Sequence, residues 1–414
     1  MLDLQLNRLG QVTIIEAKGR IDSVNAEQVL RALTDEYESG RTRIILDMAG
    51  INFMSGAGVK ALKRFFDRAG VLRIAQPSLP VREVLQIIGL DTVYELYSSR
   101  TAAVHAITSV TNAHTHLELG WLADYRPGIE GAPFVSWIKR LTQRSWAMRE
   151  GDWKSVYERS AREGIQALLE SGTTMVGEIS SMGVSVGPLL ESGLKGIVYV
   201  EVAGADPARA EERANWARSL IDEWRPKERN GMRIGLGIHA PYSTHPDLWK
   251  RLVDYARKEA LPVSIHIAES RDEYDYLTQG SGAFADGFYE DLKLPRMPVP
   301  RKTPVAYLED LGALELKPLL AHAIHVSDDD IRKIKASGAS VVHCPRSNLR
   351  LRCGRMPLER YLKLGVPVYL GTDSLSSSPS LNVFDELEVA AALHYGKVQP
   401  EAIERLIHQP LPNA

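Results

Sequence analysis

The sequence has 414 residues, which is longer than one small domain. Hydrophobic residues make up 44% of it and charged residues 25%, and the formal net charge is -2. This is the profile of a globular protein with a large core, and it excludes the strongly basic surface of a nucleic-acid-binding chain. No run approaches the roughly 18 apolar residues of a membrane span, and the first residues lack a secretory pattern, so we expect a cytoplasmic protein with no membrane partner. The two cysteines, Cys344 and Cys353, are expected to be reduced thiols.

Residues 1–105 alternate short strand-like runs with helical stretches. The runs VTIIEAKG, TRIILDMAG and VLRIAQP have the apolar, β-branched composition of strands. Between and after them, AEQVLRALTDEYESG, VKALKRFFDRAG and VREVLQIIG have the apolar spacing of helices. This alternation predicts a small α/β domain over residues 1–105.

This first segment resembles a STAS domain of the anti-sigma-factor-antagonist type, through GRIDSVNAEQVLRAL, IILDMAGINFMSGAGVKAL and PVREVLQIIGLDTVYELY. The resemblance implies a role in binding a regulatory protein or in self-association. In such antagonists a phosphorylatable serine precedes the second helix, whereas Gly56 occupies that position here. Ordinary phospho-switching is therefore not expected. Ser55 offers an adjacent hydroxyl, but its position favours a cap for a helix that begins near Gly58.

Eight short apolar runs follow in residues 106–414, and several are apolar on both faces, as buried parallel strands are. They are TSVTNAHTH, TTMVGEIS, KGIVYVEVAG, RIGLGIHAPY, PVSIHIAES, PLLAHAIHV, SVVHCPRSN and PVYLGTDS. Helical stretches separate most of them, including YERSAREGIQALLESG and PDLWKRLVDYARKEA. We therefore predict a (β/α)₈ barrel over 106–414, with its active site where the strands end.

Histidines concentrate at the predicted strand ends. Six of the eleven lie at or near them: His114, His116, His239, His266, His322 and His343. A lone histidine in an apolar run is usually a satisfied core residue, but six buried imidazoles without partners would cost about 1–3 kcal/mol each.

His114 and His116 are two residues apart on one strand, so their side chains face the same way and can reach one ion. His266 adds a third imidazole, and Asp373 ends the last strand with a carboxylate. Such a set suits one Zn²⁺ or Fe²⁺ ion that also keeps a water molecule.

Over about 107–395 the motifs NAHTHLEL, GIHAPYST, SIHIAES, LLAHAIHV, VVHCPRSN and YLGTDSLSSSPSLNVFDEL resemble the aminohydrolase branch of the amidohydrolase superfamily. The resemblance implies metal ligation by His114, His116, His266 and Asp373, and attack of a metal-bound hydroxide on an aminated heterocycle. By position, Glu269 would carry a proton to the ring nitrogen, Asp373 would relay another, and His322 would orient the attacking oxygen. His239 and His343 would contact substrate.

The number of metal ions and the nature of the substrate are less directly indicated. Two-metal relatives bridge their ions with a modified lysine or an acid from the fourth strand, and RIGLGIHAPY contains neither, which favours one ion. Arg346, in PRSNLRLRCGR, is a candidate to bind a substrate carboxylate, and a solvated basic loop is the alternative. Trp121 and Trp137 are candidates to stack on a flat ring, with core packing as the alternative. A purine or nucleoside-like substrate is expected from the resemblance.

Three functions remain open at this point. Deamination with release of ammonia is the leading hypothesis, and hydrolysis of a C–Cl or cyclic amide bond at the same centre is its enzymatic rival. The third is a regulatory sensor whose STAS-like part binds a partner. Relatives in this branch carry a β-sandwich that is missing here, so the STAS-like domain is predicted to cover the barrel flank or to mediate homo-oligomerisation.

Overall fold

The computed structural model describes residues 2–9, 12–107, 110–125 and 133–414. The chain divides into two compact units, Met1–Ser109 and Val110–Ala414. Within the described residues, no helix has both the length and the apolar character needed to cross a bilayer.

The N-terminal unit is a five-stranded sheet with helices, in the strand order β1-β2-β3-β4-β5. Its strands are β1 (Asp3–Leu9), β2 (Val12–Ile21), β3 (Arg43–Met54), β4 (Arg73–Ala75) and β5 (Glu95–Tyr97). β1 is antiparallel to β2 and the other pairs are parallel. Its helices are Ala26–Glu38, Gly56–Ala69, Leu79–Ile87 and Arg100–Ile107. The three predicted strands and three predicted helices are present, while β1, β5 and the last helix were not predicted.

The second helix of this unit begins where the regulatory serine of a STAS domain is expected. Ser55 is its N-cap and accepts a hydrogen bond from the backbone N–H of Gly58 at 3.4 Å, which confirms the predicted cap. At Gly56 an added Cβ would meet no atom within 4 Å. Packing therefore does not require glycine at this position.

A buried carboxylate ties the first helix to the sheet. Glu36 accepts hydrogen bonds from Thr13 on β2 at 2.9 Å, from Arg41 at 2.5 and 3.1 Å, and from Arg8 at 3.0 Å. The hydrogen bond from Arg41 is the largest influence, and it lowers the pKa of Glu36 to about 2 from an ordinary value of 4.5.

Glu36→Gln is expected to lower the free energy of unfolding by about 2 kcal/mol at pH 7, because hydrogen bonds to a charged group are lost. The carboxylate stabilises the folded state above pH 4.5, and this contribution disappears as the pH falls from 4.5 towards 2. Urea unfolding of wild type and variant at pH 7 and at pH 3 measures both effects. Glu27→Gln, at an exposed ion pair with Arg64, is the matched control and is expected to change stability little. An equal effect of both variants would contradict the prediction.

The second unit contains eight parallel strands in sequence order, β6 to β13. They are β6 (Thr111–Thr115), β7 (Met175–Ser180), β8 (Lys195–Val202), β9 (Met232–Ile238), β10 (Val263–Ile267), β11 (Leu319–His322), β12 (Ser340–His343) and β13 (Val368–Leu370). A parallel bridge between Thr115 and Asp373 joins the first strand to the last, so the sheet closes into a barrel. The predicted (β/α)₈ fold is confirmed. The start of the first predicted strand, residues 108–109, lies outside the described residues.

Helices cover the barrel and alternate with its strands. They are Phe134–Met148, Trp153–Glu170, Val186–Glu191, Ala210–Trp224, Pro246–Glu259, Arg271–Gln279, Tyr289–Asp291, Pro304–Asp310, Asp328–Ser337, Pro345–Arg350, Leu358–Lys363, Val383–Leu393 and Pro400–Glu404. One large apolar core lies between the strands and these helices. Because all eight strands run in the same direction, their carboxyl ends meet at one rim of the barrel.

Candidate active site

Four predicted metal ligands meet at the carboxyl-terminal rim of the barrel. His114 and His116 come from the end of β6, His266 from β10, and Asp373 from the segment after β13, and all four are buried. The Nε2 atom of His116 lies 3.2 Å from the Nε2 atoms of both His114 and His266. Asp373 Oδ1 lies 3.5 Å from His116 Nε2 and 3.9 Å from His114 Nε2.

These donors fit one divalent cation. Burial lowers the pKa of both His114 and His266 well below the ordinary value, which favours the neutral imidazole that a metal ion takes as a ligand. A Zn–N distance of about 2.0–2.1 Å in a tetrahedral site would space the nitrogens by about 3.3 Å, close to the spacing seen here. Neutral imidazoles beside a carboxylate are ligands that Zn²⁺ and Fe²⁺ accept.

The surroundings of Asp373 direct one of its oxygens towards the histidines. Ser347 and Ser377 donate hydrogen bonds to Oδ2 at 2.6 and 3.0 Å, and Oδ1 faces the imidazoles. Burial opposes ionisation of Asp373, and the hydrogen bond from Ser347 favours its carboxylate form. Gly371 permits the close approach of the first and last strands, because a Cβ there would lie 2.7 Å from His114 Cβ.

The predicted proton-transfer residues lie in the same cluster. Glu269 is buried, and its Oε1 atom lies 3.5 Å from His322 Nε2. Burial, reinforced by Asp373 and Glu273, raises the pKa of Glu269 well above its usual range. His239 packs its ring 5.0 Å from that of His266, and its Nδ1 atom lies 2.6 Å from Ser243 Oγ. Burial lowers the pKa of His239 to about 3.

The backbone is strained where these residues leave their strands. Ala268, His322 and Asp373 have φ values of 49°, 69° and 62°, in the left-handed region that disfavours residues other than glycine. Glu273 stabilises one of these turns, since it accepts the backbone N–H groups of Ala268 and Glu269 at 3.0 and 2.9 Å. Such strain costs about 1–3 kcal/mol per residue and is concentrated at functional sites in many proteins.

Glu201 is a site residue that the sequence reasoning missed. It lies near the end of β8, is buried, and places Oε1 3.6 Å from His266 Nδ1. Burial, reinforced by Glu118 and Asp373, raises its pKa to about 8. An acid inside the otherwise apolar run IVYVEV was the signal that pointed to it.

The cluster forms one end of a cavity of about 340 Å³. Seven of its polar lining residues belong to this cluster: His116, Glu201, His239, His266, Glu269, His322 and Asp373. Apolar and aromatic side chains also line it, among them Phe134, Trp137, Leu141, Tyr242 and Phe288. The cavity therefore combines an apolar, aromatic lining with a buried polar cluster.

Three predicted substrate contacts lie elsewhere, because none is among the described residues that line the cavity. His343 is buried against His394, with their Nε2 atoms 3.3 Å apart. Arg346 donates hydrogen bonds to Glu386 at 2.6 Å and to Asp385 at 2.8 Å. Trp121 packs its ring 5.6 Å from that of Tyr157. Trp121, His343 and Arg346 are thus not brought to the cavity, and each contacts a residue far away in the sequence.

A different set of arginines lines the cavity: Arg149, Arg209 and Arg213. Arg149 and Arg209 are exposed, which places this set towards the mouth. Arg213 is half-buried, and burial together with Arg149 and Arg209 lowers its pKa. Its Nε donates to the carbonyl of Ala203 at 3.1 Å. Within the described part of the chain, its terminal amino groups have no hydrogen-bond partner.

The barrel and the donor cluster at its rim define a metal-dependent hydrolase. The family model "Amidohydrolase family" matches residues 107–405, and "STAS domain" matches residues 3–103. The chain therefore belongs to the amidohydrolase family and carries a STAS domain N-terminal to the barrel in the sequence. The enzyme class predicted from the sequence, a hydrolase acting on C–N bonds, is confirmed.

Several proteins similar to this chain are named as deaminases. The aminodeoxyfutalosine deaminase of Deinococcus radiodurans is 35% identical over 314 residues, which cover 74% of this chain and 72% of that protein. A 5-methylthioadenosine/S-adenosylhomocysteine deaminase of Carboxydothermus hydrogenoformans is 29% identical over 303 residues, with coverages of 72% and 64%. The crystal structure of Helicobacter pylori aminofutalosine deaminase with methylthio-coformycin has a TM-score of 0.63 at 23% identity, covering 78% of this chain and 76% of that one. At 23% identity, this similarity shows only that the two proteins share a fold.

Proposed function

We propose that this enzyme removes the exocyclic amine of a nucleoside-like heterocycle by hydrolysis and releases ammonia. The observation that carries the proposal is the position of Glu269, buried beside the cation-binding quartet and 3.5 Å from His322 Nε2. Glu269 gives the site a proton donor next to the place where a water molecule is activated. The deaminase relatives support deamination over cleavage of a C–Cl or cyclic amide bond.

His114, His116, His266 and Asp373 would hold one divalent cation, for which zinc is proposed from the donor set, with Fe²⁺ as the alternative. When bound, the cation makes water acidic enough to act as a nucleophile at neutral pH. Asp373 is ionised and can accept the proton that the attacking water loses.

Glu269 carries the second proton transfer. Its raised pKa favours the protonated form, which can donate to a ring nitrogen as the carbon–oxygen bond forms. The proton held by Asp373 then passes to the departing amine as the carbon–nitrogen bond breaks. The hydroxyl group on that carbon then returns its proton to Glu269 as the carbonyl group forms, so the amine and water become a carbonyl group and ammonia and both carboxyl groups regain their starting states.

The cavity wall indicates the shape of the substrate. Trp137, Phe134 and Tyr242 offer aromatic faces for a flat ring. Glu201 and His239 offer polar atoms to the ring or to sugar hydroxyls. The three arginines near the mouth favour a substrate with an anionic group away from the ring, because guanidinium groups bind carboxylates well.

Arg213→Gln is expected to raise KM about tenfold or more for a nucleoside with a 5′-carboxylate, because a charge-assisted hydrogen bond is worth about 1.5–3 kcal/mol. For adenosine, which lacks the anion, KM is expected to change less than threefold. Steady-state kinetics with adenosine and adenosine-5′-carboxylic acid measures the difference. Arg218→Gln, on the same helix and paired with Glu211, is the control. Equal effects of Arg213→Gln on both substrates would contradict an anion-binding role.

The proposed reaction is tested by measuring ammonia release from adenine nucleosides with the purified, metal-loaded full chain. Adenosine, 5-methylthioadenosine and aminodeoxyfutalosine are the first compounds, and a chlorotriazine and a cyclic amide serve as comparators. Ammonia from a nucleoside supports the proposal. Turnover of only a comparator, or of none of these compounds, would reject it.

The cellular setting is proposed on more general grounds. We propose that the enzyme acts in the cytoplasm, since both cysteines are free and buried. We also propose that the STAS domain binds a regulatory protein or a second copy of this chain. Size-exclusion chromatography coupled to light scattering distinguishes the second of these from a monomer.

A further inference from the structure

A chain of side-chain contacts connects His322, at the cavity, with Arg355. His322 Nδ1 lies 2.9 Å from Asn348 Oδ1, and Asn348 Nδ2 lies 3.4 Å from His343 Nδ1. His343 Nε2 lies 3.3 Å from His394 Nε2, and Arg355 Nη1 lies 2.6 Å from His394 Nδ1. The three histidines and Asn348 are buried, whereas the Arg355 side chain is 29% exposed.

Arg355 determines the direction of this chain. A guanidinium group has only donors, so the Nδ1 atom of His394 has to accept. Glu359 Oε2 also lies near this atom, at 3.4 Å, but it is farther away and already accepts from Arg355 at 2.9 Å. Burial lowers the pKa of both His343 and His394, which favours the neutral form of each ring with a single N–H group.

Once His394 Nδ1 is the acceptor, the positions of the other protons in the chain follow. The N–H of His394 is at Nε2 and donates to His343 Nε2, so the N–H of His343 is at Nδ1. That group donates to the amide oxygen of Asn348, and the amide nitrogen donates to His322 Nδ1. This arrangement requires the Asn348 amide to make a half-turn from its orientation in the structure, which exchanges its oxygen and nitrogen without changing its shape. In the reverse direction, the N–H group of His394 would point at the N–H group of Arg355, and two donors cannot form a hydrogen bond with each other.

We propose that Arg355, through His394, His343 and Asn348, holds His322 in the tautomer that carries its proton on Nε2. This nitrogen faces the site and lies 3.5 Å from Glu269 Oε1. His322 is then a hydrogen-bond donor at the cavity and not a base. Its catalytic consequence, which rests on the proposed function, is that His322 stabilises the oxygen that adds to the ring. Arg355, His394, His343 and Asn348 are positioning residues.

The tautomer is measured directly by nitrogen-15 NMR of the zinc-loaded full chain labelled at histidine. His322 is assigned by comparison with His322→Gln. We expect a pyrrole-type signal for Nε2 and a pyridine-type signal for Nδ1 of His322. The opposite pair of signals in the wild-type protein would overturn the proposal. This measurement needs no substrate, so its outcome is independent of the proposed reaction.

The role of Arg355 is tested by a pair of variants. Arg355→Met removes the terminal donor and is expected to lower kcat about tenfold or more with KM within twofold, and to give His322 signals of both tautomers. Arg355→Lys keeps a donor and is expected to retain most of kcat and the wild-type signals. Arg360→Met, at an exposed ion pair with Asp328, is the control. Wild-type signals in Arg355→Met would overturn the proposal. If that variant does not fold, the wild-type spectrum and Arg355→Lys decide.

Discussion

Glu269→Gln is expected to lower kcat about 10³-fold while KM changes little, since general acid–base catalysis contributes about 10²–10⁴ in rate. Glutamine keeps the size of the side chain and a hydrogen-bond donor, but it cannot transfer a proton to the ring. The backbone contacts of Glu269 to Glu273 involve the main-chain N–H and are preserved in the variant. Ammonia release under steady-state conditions measures the loss.

Metal content separates this effect from damage to the site. Glu269 is not one of the four donors, so the variant is expected to hold as much metal as the wild type, measured by elemental analysis. Glu315→Gln, at a surface ion pair with Arg257, is the matched control and is expected to leave kcat unchanged. If Glu269→Gln kept more than a tenth of wild-type kcat, the proton-transfer role would be rejected.

His266→Ala is expected to abolish both metal retention and activity. Its Nε2 atom is 3.2 Å from that of His116, and its removal leaves only two imidazoles and Asp373 for the cation. Elemental analysis is expected to find about one zinc or iron per wild-type chain and less than a tenth of that in the variant. Because ligand binding to the folded state raises stability, added zinc is expected to raise the Tm of metal-free wild type but not that of the variant.

A second histidine substitution controls for general damage. His245 caps the helix Pro246–Glu259 by accepting from the backbone N–H of Asp247, and it does not line the cavity. His245→Ala is expected to keep its metal and its activity, with a stability loss of about 1 kcal/mol from the missing cap. A wild-type protein without stoichiometric metal, or a His266→Ala variant that retains it, would contradict the assigned centre.

Strand periodicity allowed much of the site to be predicted from the sequence. His114 and His116 had to share a face because side chains alternate along a strand, and they had to meet His266 and Asp373 because parallel strands end at one rim. The inference that the donors converge needed only which strand each residue ends and which way the chain runs. The role of Glu269, just after β10, came instead from the resemblance to the amidohydrolase superfamily.

The sequence by itself determined the two-domain order, the eight strands and the donor set, because apolar periodicity and strand polarity are local properties of the chain. Only the tertiary structure decided how the other polar residues are used. Arg346 follows the seventh barrel strand as predicted, but it lies in the helix Pro345–Arg350 and is bound to Glu386, 40 residues away. A buried charge has to find a partner, and that partner depends on packing between distant segments. For the same reason His343 belongs to a chain that ends at Arg355, and Glu201 faces the cavity.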